Sequence, residues 1–288
     1  MKNDIRLENI HMRDPFIYVD RMNGRYHLFG TTSGGSMQRF EMYTSNDLEL
    51  WQGPFVVFDG ANHPSYWAPE VYYVEDLKAY IMFATVRGND RKRGTVAFIS
   101  EDLMNVPFRL YSDQITPEDF TNLDGTLYYD QKTGSPKIIF CHEWLEINDG
   151  SFVQATLTKD LKTYDKDSMQ ILFHASEIPW SISPKFTKTT NDYISDAPYI
   201  FHNDGVEYML YSTFGKHGYQ TGYCYTKDGW KNYNHALEPL TEPNSGHAMI
   251  FTSLKGINYI IYHTDNESPK VKPTIRRLLV NGSSLQTI

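Results

Sequence analysis

The sequence predicts an all-β chain, a five-bladed β-propeller with about four antiparallel strands per blade. Three observations predict it. A hairpin pattern recurs five times, beginning at Asp14, Ala68, Asp124, Ala197 and His247. The copies are therefore spaced at roughly the length of one four-stranded blade. Aromatic residues make up 15% of the 288 residues, with 21 Tyr and 16 Phe, as suits pleated surfaces.

The first two strands of each blade come from the hairpins Asp14–Thr32, Ala68–Thr85, Asp124–Glu143, Ala197–Thr213 and His247–Thr264. Turn chemistry joins them at Asn23-Gly24, Thr133-Gly134, Asp204-Gly205 and Lys255-Gly256, while the second copy turns through Glu75-Asp76. Third strands run into turns at Thr44–Trp51, Ile99–Leu103, Leu157–Tyr164 and Tyr225–Trp230, with Asp47, Asp102, Asp160 and Asp228 placed to cap them. Short apolar runs at Phe55–Phe58, Phe108–Tyr111 and Ile171–His174 supply fourth strands. The wider third interval leaves Ser176–Tyr193 as a surface insertion, and one domain spans residues 1–288.

Composition removes several function classes. Lys and Arg number 27 against 35 Asp and Glu, a net charge of −8, which disfavours nucleic acid and anionic membrane as partners. The basic run Arg87–Arg93 is interrupted by Asp90 and reads as a solvated loop. No apolar run reaches the roughly 18 residues that span a bilayer. Met1–Ile10 lacks the apolar stretch of a signal peptide, so a cytoplasmic chain is expected, or a secreted one if a leader has been trimmed. Cys141 and Cys224 lie in apolar strand runs and read as buried, inert thiols.

In a propeller the innermost strands surround a central channel, so the five hairpin starts converge. Their aligned first column reads Asp14, Ala68, Asp124, Ala197, His247. Glu70 follows two residues after its column position, on the same strand face by a period of two, and Asp196 lies one before its own. Carboxylates held close raise one another's pKa, and the consequence is divided roles: one stays ionised as a base, another protonated as an acid. A glycosidase needs such a pair about its scissile bond. For any single Asp the alternative is a capped turn at a strand start.

Arg13-Asp14-Pro15, Trp67-Ala68-Pro69-Glu70, Leu123-Asp124-Gly125, Asp196-Ala197-Pro198 and Gly246-His247, in order and at blade spacing, resemble glycoside hydrolase family 43. The resemblance implies a five-bladed propeller, inversion at the anomeric carbon, and removal of arabinofuranose or xylose from plant polysaccharides. It implies Asp14 as general base and Asp124 as the acid that tunes and orients the proton donor. The donor position, usually Glu before Gly-Pro, holds Asp196 here, one methylene shorter. Glu143, in Cys141-His142-Glu143-Trp144, is the nearest alternative donor. Glu70 would hold a sugar hydroxyl or an arginine. His247 resembles the axial histidine, which implies no required cofactor but allows a structural calcium ion reached through waters.

Trp67 and Trp144 adjoin the acidic cluster and are the leading candidates for stacking on sugar, ahead of Trp180, Phe29 and Phe214. Arg276 or Arg277, at the start of a late strand in blade five, is placed to reach the channel and bind a substrate hydroxyl, with a surface ion pair as the alternative, and His217 is a weaker candidate for the rim. The expectation is thus an inverting exo-glycosidase that releases terminal α-L-arabinofuranosyl or β-D-xylosyl units from an oligosaccharide. Two alternatives stand beside it. A carbohydrate-binding propeller without catalysis would account for the shortened acid, and a glycoside phosphorylase would use Arg276 and Arg277 for phosphate.

Overall fold

The computed structural model describes residues 4–32, 39–60, 65–87, 91–266 and 271–288, and its strands form five antiparallel sheets arranged as a five-bladed propeller. In blade one, β1 (Ile5–Arg6), β2 (Met12–Asp20), β3 (Arg25–Thr32), β4 (Arg39–Ser45) and β5 (Leu50–Asp59) pair in the order β2-β3-β4-β5-β1. Blade two holds β6 (Ser65–Val74), β7 (Ala79–Arg87), β8 (Gly94–Ser100) and β9 (Arg109–Ser112). Blade three holds β10 (Asn122–Tyr129), β11 (Pro136–His142), β12 (Ser151–Leu157) and β13 (Tyr164–His174), with the four-residue helix α1 (Trp144–Ile147) between β11 and β12. Blade four is β14 (Asp196–Asn203), β15 (Val206–Gly215), β16 (Gly218–Thr226) and β17 (Asn234–His235). Blade five is β18 (Gly246–Thr252), β19 (Asn258–Thr264), β20 (Lys272–Asn281) and β21 (Ser284–Thr287). No helix among the described residues is long and apolar enough to cross a membrane.

Local chemistry places the turns where the sequence predicts. Gly24, Gly134, Gly205 and Gly256 take positive φ at the hairpin tips, and Lys78 takes that conformation in the second copy after a short 3₁₀ turn at Glu75–Leu77. Three of the four Asp residues cap as expected: Asp47 Oδ1 accepts the Glu49 and Leu50 amides at 2.8 and 2.9 Å, Asp102 Oδ1 those of Met104 and Asn105, and Asp160 Oδ1 that of Lys162. The Asp228 carboxylate instead accepts the Thr226 hydroxyl and the Asn232 side chain. The Ser176–Tyr193 segment is largely irregular. Residues 88–90 of the Arg87–Arg93 run lie outside the described residues. Apolar layers between neighbouring blades form the core, in which Phe29, Phe83, Phe98, Phe140, Tyr208, Tyr211 and Tyr262 are fully buried. The aromatic excess is thus mostly interblade packing. Both cysteines are free and buried.

One backbone device repeats in every blade. Asp14, Ala68, Asp124, Ala197 and His247, the five column residues, all have left-handed φ between 48° and 55°. None is glycine, and the conformation costs an L-residue about 1–2 kcal/mol. At each, the inner strand carries one residue more than its partner, a β-bulge, as between Arg13↔Thr31 and Phe16↔Phe29 or Leu123↔Cys141 and Thr126↔Ile139.

The freed amides go around the ring, each to the preceding blade. Ala68 N donates to Thr31 Oγ1 (2.7 Å), Asp124 N to Thr85 Oγ1 (2.8 Å), His247 N to Ser212 Oγ (2.9 Å) and Asp14 N to His263 Nδ1 (3.2 Å). Blade three has Cys141 at the equivalent position, and there Asp124 Oδ2 accepts Ala197 N at 3.3 Å. The Asp14–His263 link, with Arg13 donating to Asn266 Oδ1 at 2.7 Å and Leu254 N to the Tyr26 hydroxyl at 3.0 Å, closes blade five onto blade one.

The ring makes a prediction. Thr31→Val keeps the shape but strands the buried Ala68 amide, and should cost about 1–3 kcal/mol in denaturant unfolding. Thr31→Ser, which restores the acceptor, should recover most of that loss.

Candidate active site

The bulge turns the column side chains toward one end of the axis, where a cleft of about 310 Å³ is lined by Arg13, Asp14, Thr31, Trp67, Arg93, Leu123, Asp124, Glu143, Trp144, Ile194, Ser195, Asp196 and His247. Seven predicted site residues therefore meet: Asp14, Asp124, Asp196, Glu143, His247, Trp67 and Trp144. Asp14 and Asp124 do not cap turns.

Asp14 is held by partners that favour its charge. His247 Nδ1 lies 3.1 Å from its Oδ1. Burial alone would raise its pKa, but His247, His263, a Thr31 hydroxyl and the Arg13 guanidinium together outweigh it and hold the carboxyl below its ordinary value. His263 lies on the other side and is pushed down to about 4 by burial, so it is a neutral imidazole. Its Nδ1 accepts the Asp14 amide, and its Nε2 faces Asn266 Oδ1 at 3.0 Å, which assigns the ring proton to Nε2.

Asp124 has the opposite environment. It is buried, Thr85 Oγ1 donates to its Oδ1 at 3.1 Å, His247 Nδ1 lies 4.0 Å from its Oδ2, and the Asp196 carboxylate is the charge that acts on it most strongly. Burial first, and then the Asp196 and Asp14 carboxylates, raise its pKa well above the ordinary value. Burial and the neighbouring carboxylates thus favour the neutral form of Asp124. Asp196 is the less buried partner, and its Oδ2 accepts the Tyr219 hydroxyl.

Glu143 is ion-paired with Arg93; burial raises its pKa although Arg93 opposes. The same guanidinium lies 4.5 Å above the Trp67 ring and covers one face of it. Arg93 Nε and Glu143 Oε2 are left without protein partners. Arg93 was read in the sequence as part of a solvated loop, and the structure corrects this: its side chain is mostly buried in the cleft wall.

Two further placements are corrected. Glu70 does not enter the cleft, because the bulge between Trp67 and Glu70 breaks the period of two. It lies one tier down the axis with Phe16, Tyr199 and Met249, around a void of about 10 Å³. There it meets Tyr72 and Thr126, with no arginine, and burial pushes it up to about 8. Arg276 is exposed in the middle of β20, the third strand from the axis, and faces Glu242 at 3.7 Å. Arg277 is also exposed on β20, so neither supplies a phosphate pocket in the cleft. Trp180 packs on Gly215 and Gly222, Phe29 is core, and His217 is exposed.

Donor atoms of Asp124, Asp196 and His247 lie within 4.8 Å of one another. They do not fit calcium well. The ion takes six to eight oxygens, whereas here burial favours the neutral form of Asp124 and His247 Nδ1 already faces Asp14.

The family model for glycosyl hydrolases family 43 matches residues 8–282. The chain belongs to that family. An endo-arabinase from Bacteroides thetaiotaomicron VPI-5482 is 33% identical over 99% of this chain and 100% of that one, with a TM-score of 0.89. A thermostable family-43 glycoside hydrolase, 18% identical over 98% and 96% of the two chains, shares the fold with a TM-score of 0.81. The probable arabinan endo-1,5-α-L-arabinosidase C of Aspergillus terreus is 29% identical over 97 residues, a match spanning 32% of this chain and 30% of that relative.

Two predictions test these placements. Glu70 has a folded pKa of about 8 against an ordinary 4.5, so the folded protein binds a proton that the unfolded chain releases between those values. Its stabilising contribution is full below pH 4.5 and is lost as pH rises toward 8. Glu70→Gln should therefore gain stability relative to wild type over that window, by up to about 1.4 kcal/mol per pH unit in urea unfolding. Arg276→Ala should leave kcat/KM within about twofold, whereas Arg93→Ala, which unseats Glu143 and Trp67, should lower it about tenfold or more.

Proposed function

We propose that the protein is an inverting glycosidase that cleaves α-1,5-linked L-arabinofuranosyl chains. One observation carries the chemistry: a carboxylate whose charged form is favoured, Asp14, and a buried carboxyl whose neutral form is favoured, Asp124 beside Asp196, line the same cleft. Asp14 is the general base; it takes a proton from water as the water oxygen bonds to the anomeric carbon. Asp196 is the general acid, passing its proton to the departing glycosidic oxygen, and Asp124 keeps that proton available through their close coupling. Glu143, whose pKa burial also raises, is less suited to be the donor because its Oε1 is engaged by Arg93.

Family membership supports glycoside hydrolysis, and the full-length similarity to an endo-arabinase supports arabinan as substrate and internal attack over terminal release. The unpartnered Arg93 Nε and Glu143 Oε2 are a donor and an acceptor in one ion pair, suited to a sugar hydroxyl.

Linear arabinan is the deciding substrate. The wild type should give a ladder of short oligosaccharides, with the new reducing ends first seen by NMR in the inverted anomeric form. Release of arabinose alone would return the reading to terminal cleavage. Asp14→Asn and Asp196→Asn should each lower kcat about 10²–10⁴-fold with binding retained. Binding without turnover by the wild type would instead identify a carbohydrate-binding propeller.

A further inference from the structure

Asp196 is one methylene shorter than the acid the family usually places there, and a shorter side chain needs firmer placement. The structure supplies it in Tyr219, the second residue of β16, whose hydroxyl donates to Asp196 Oδ2. The phenol is fixed on every side. Its ring lies parallel to the His263 imidazole, with centroids 5.7 Å apart and planes at 7°. Phe214 packs at 5.5 Å. The ring also fills the space beside Gly246, where a Cβ would come within 2.4 Å of Tyr219 Cε1. That contact explains glycine in the Gly246-His247 motif.

The direction of the hydrogen bond is fixed as well. Ser212 Oγ accepts the His247 amide at 2.9 Å, lies 2.7 Å from Thr221 Oγ1, and reaches the Tyr219 hydroxyl. A hydroxyl has one proton and two lone pairs. With Thr221 as donor to it, Ser212 has both lone pairs filled and its proton free for Tyr219, and Tyr219 gives its own proton to Asp196 Oδ2.

Resting on Asp196 as the proton donor, we propose that Tyr219 is a positioning residue for leaving-group departure: it pins Asp196 Oδ2, so the acid proton rides on Oδ1 and faces the glycosidic oxygen. As the C–O bond breaks, that proton moves to the leaving oxygen and Asp196 becomes a carboxylate. The Tyr219 hydrogen bond then becomes charge-assisted and strengthens as the transition state forms.

Tyr219→Phe removes the hydroxyl and keeps the ring. The test compares α-1,5-arabinohexaose, whose leaving group needs a proton, with the 4-nitrophenyl glycoside of α-1,5-arabinotriose, whose leaving group barely does. The variant should lose about 10- to 100-fold in kcat on the hexaose and less than about threefold on the aryl glycoside, with KM within about twofold on both. Gly246→Ala, which displaces the ring, should give the same asymmetry, and it serves as the test if Tyr219→Phe does not fold. Equal losses on the two substrates, a change in KM alone, or no loss would overturn the proposal and leave the assignment of Asp196 intact. A wild type that cleaves neither substrate would overturn both.

Discussion

The molecule depends on a left-handed residue at the start of each inner strand, with its amide handed to the preceding blade. The bulge at that residue turns a side chain toward the axis, and it also frees an N–H in a buried place. Left unpaired, each such amide would cost about 1–3 kcal/mol. The hydroxyls of Thr31, Thr85 and Ser212, the His263 imidazole and the Asp124 carboxyl pair all five. Because the links form a closed cycle, no blade is oriented independently of its neighbours. Asp14, Asp124 and His247 take three of the five positions. Ala68 and Ala197 take the other two and line only the narrow space below. The side chains at those two places end at Cβ, so the cleft above them stays open.

The same crowding divides the charges. Packing Asp14, Asp124 and Asp196 into one cleft would be prohibitive if all three ionised in similar surroundings. Asp14 receives His247, Arg13 and a hydroxyl, while Asp124 receives burial and a second carboxyl. His263 remains neutral beside Asp14 and therefore accepts an amide there without adding charge. Asp14 and Asp124 are shifted in opposite directions by what packs on them, since both are aspartates.

Most of the fold and much of the site were legible in the sequence because both follow the repeat. Asp14, Asp124, Asp196 and His247 sit at or beside the repeated column, and Trp67, Glu143 and Trp144 lie within a few residues of a strand end that meets it. Glu70 was misplaced because period-two counting assumes an uninterrupted strand, and the bulge inserts a residue just before it. Arg276 was misplaced because a third strand approaches the axis only at its end nearest the cleft, and Arg276 is five residues into β20. The same geometry explains two omissions. Arg93 immediately precedes β8, and Tyr219 is the second residue of β16, so both reach the cleft from third strands. A legible signal was passed over: the second strands end in Thr31, Thr85, Ser212 and His263, a column of acceptors at one register.

Blade three breaks that column, and the break joins structure to chemistry. Cys141 occupies the acceptor position, and a thiol is a weak acceptor. Burial, and then the Asp124 and Asp196 charges, raise its pKa well above the ordinary value, so it offers no thiolate instead. The Ala197 amide therefore goes to Asp124 Oδ2, on the carboxyl whose neutral form burial and Asp196 favour. Asp124 is held at both oxygens, by Thr85 from blade two and by Ala197 from blade four. Ala197 is also the residue next to Asp196. The link that closes the ring between blades three and four thus fixes the separation of the two carboxyls that must exchange influence. Any movement of blade four that lengthened the Ala197 bond would carry Asp196 with it and weaken the coupling that keeps the proton in place.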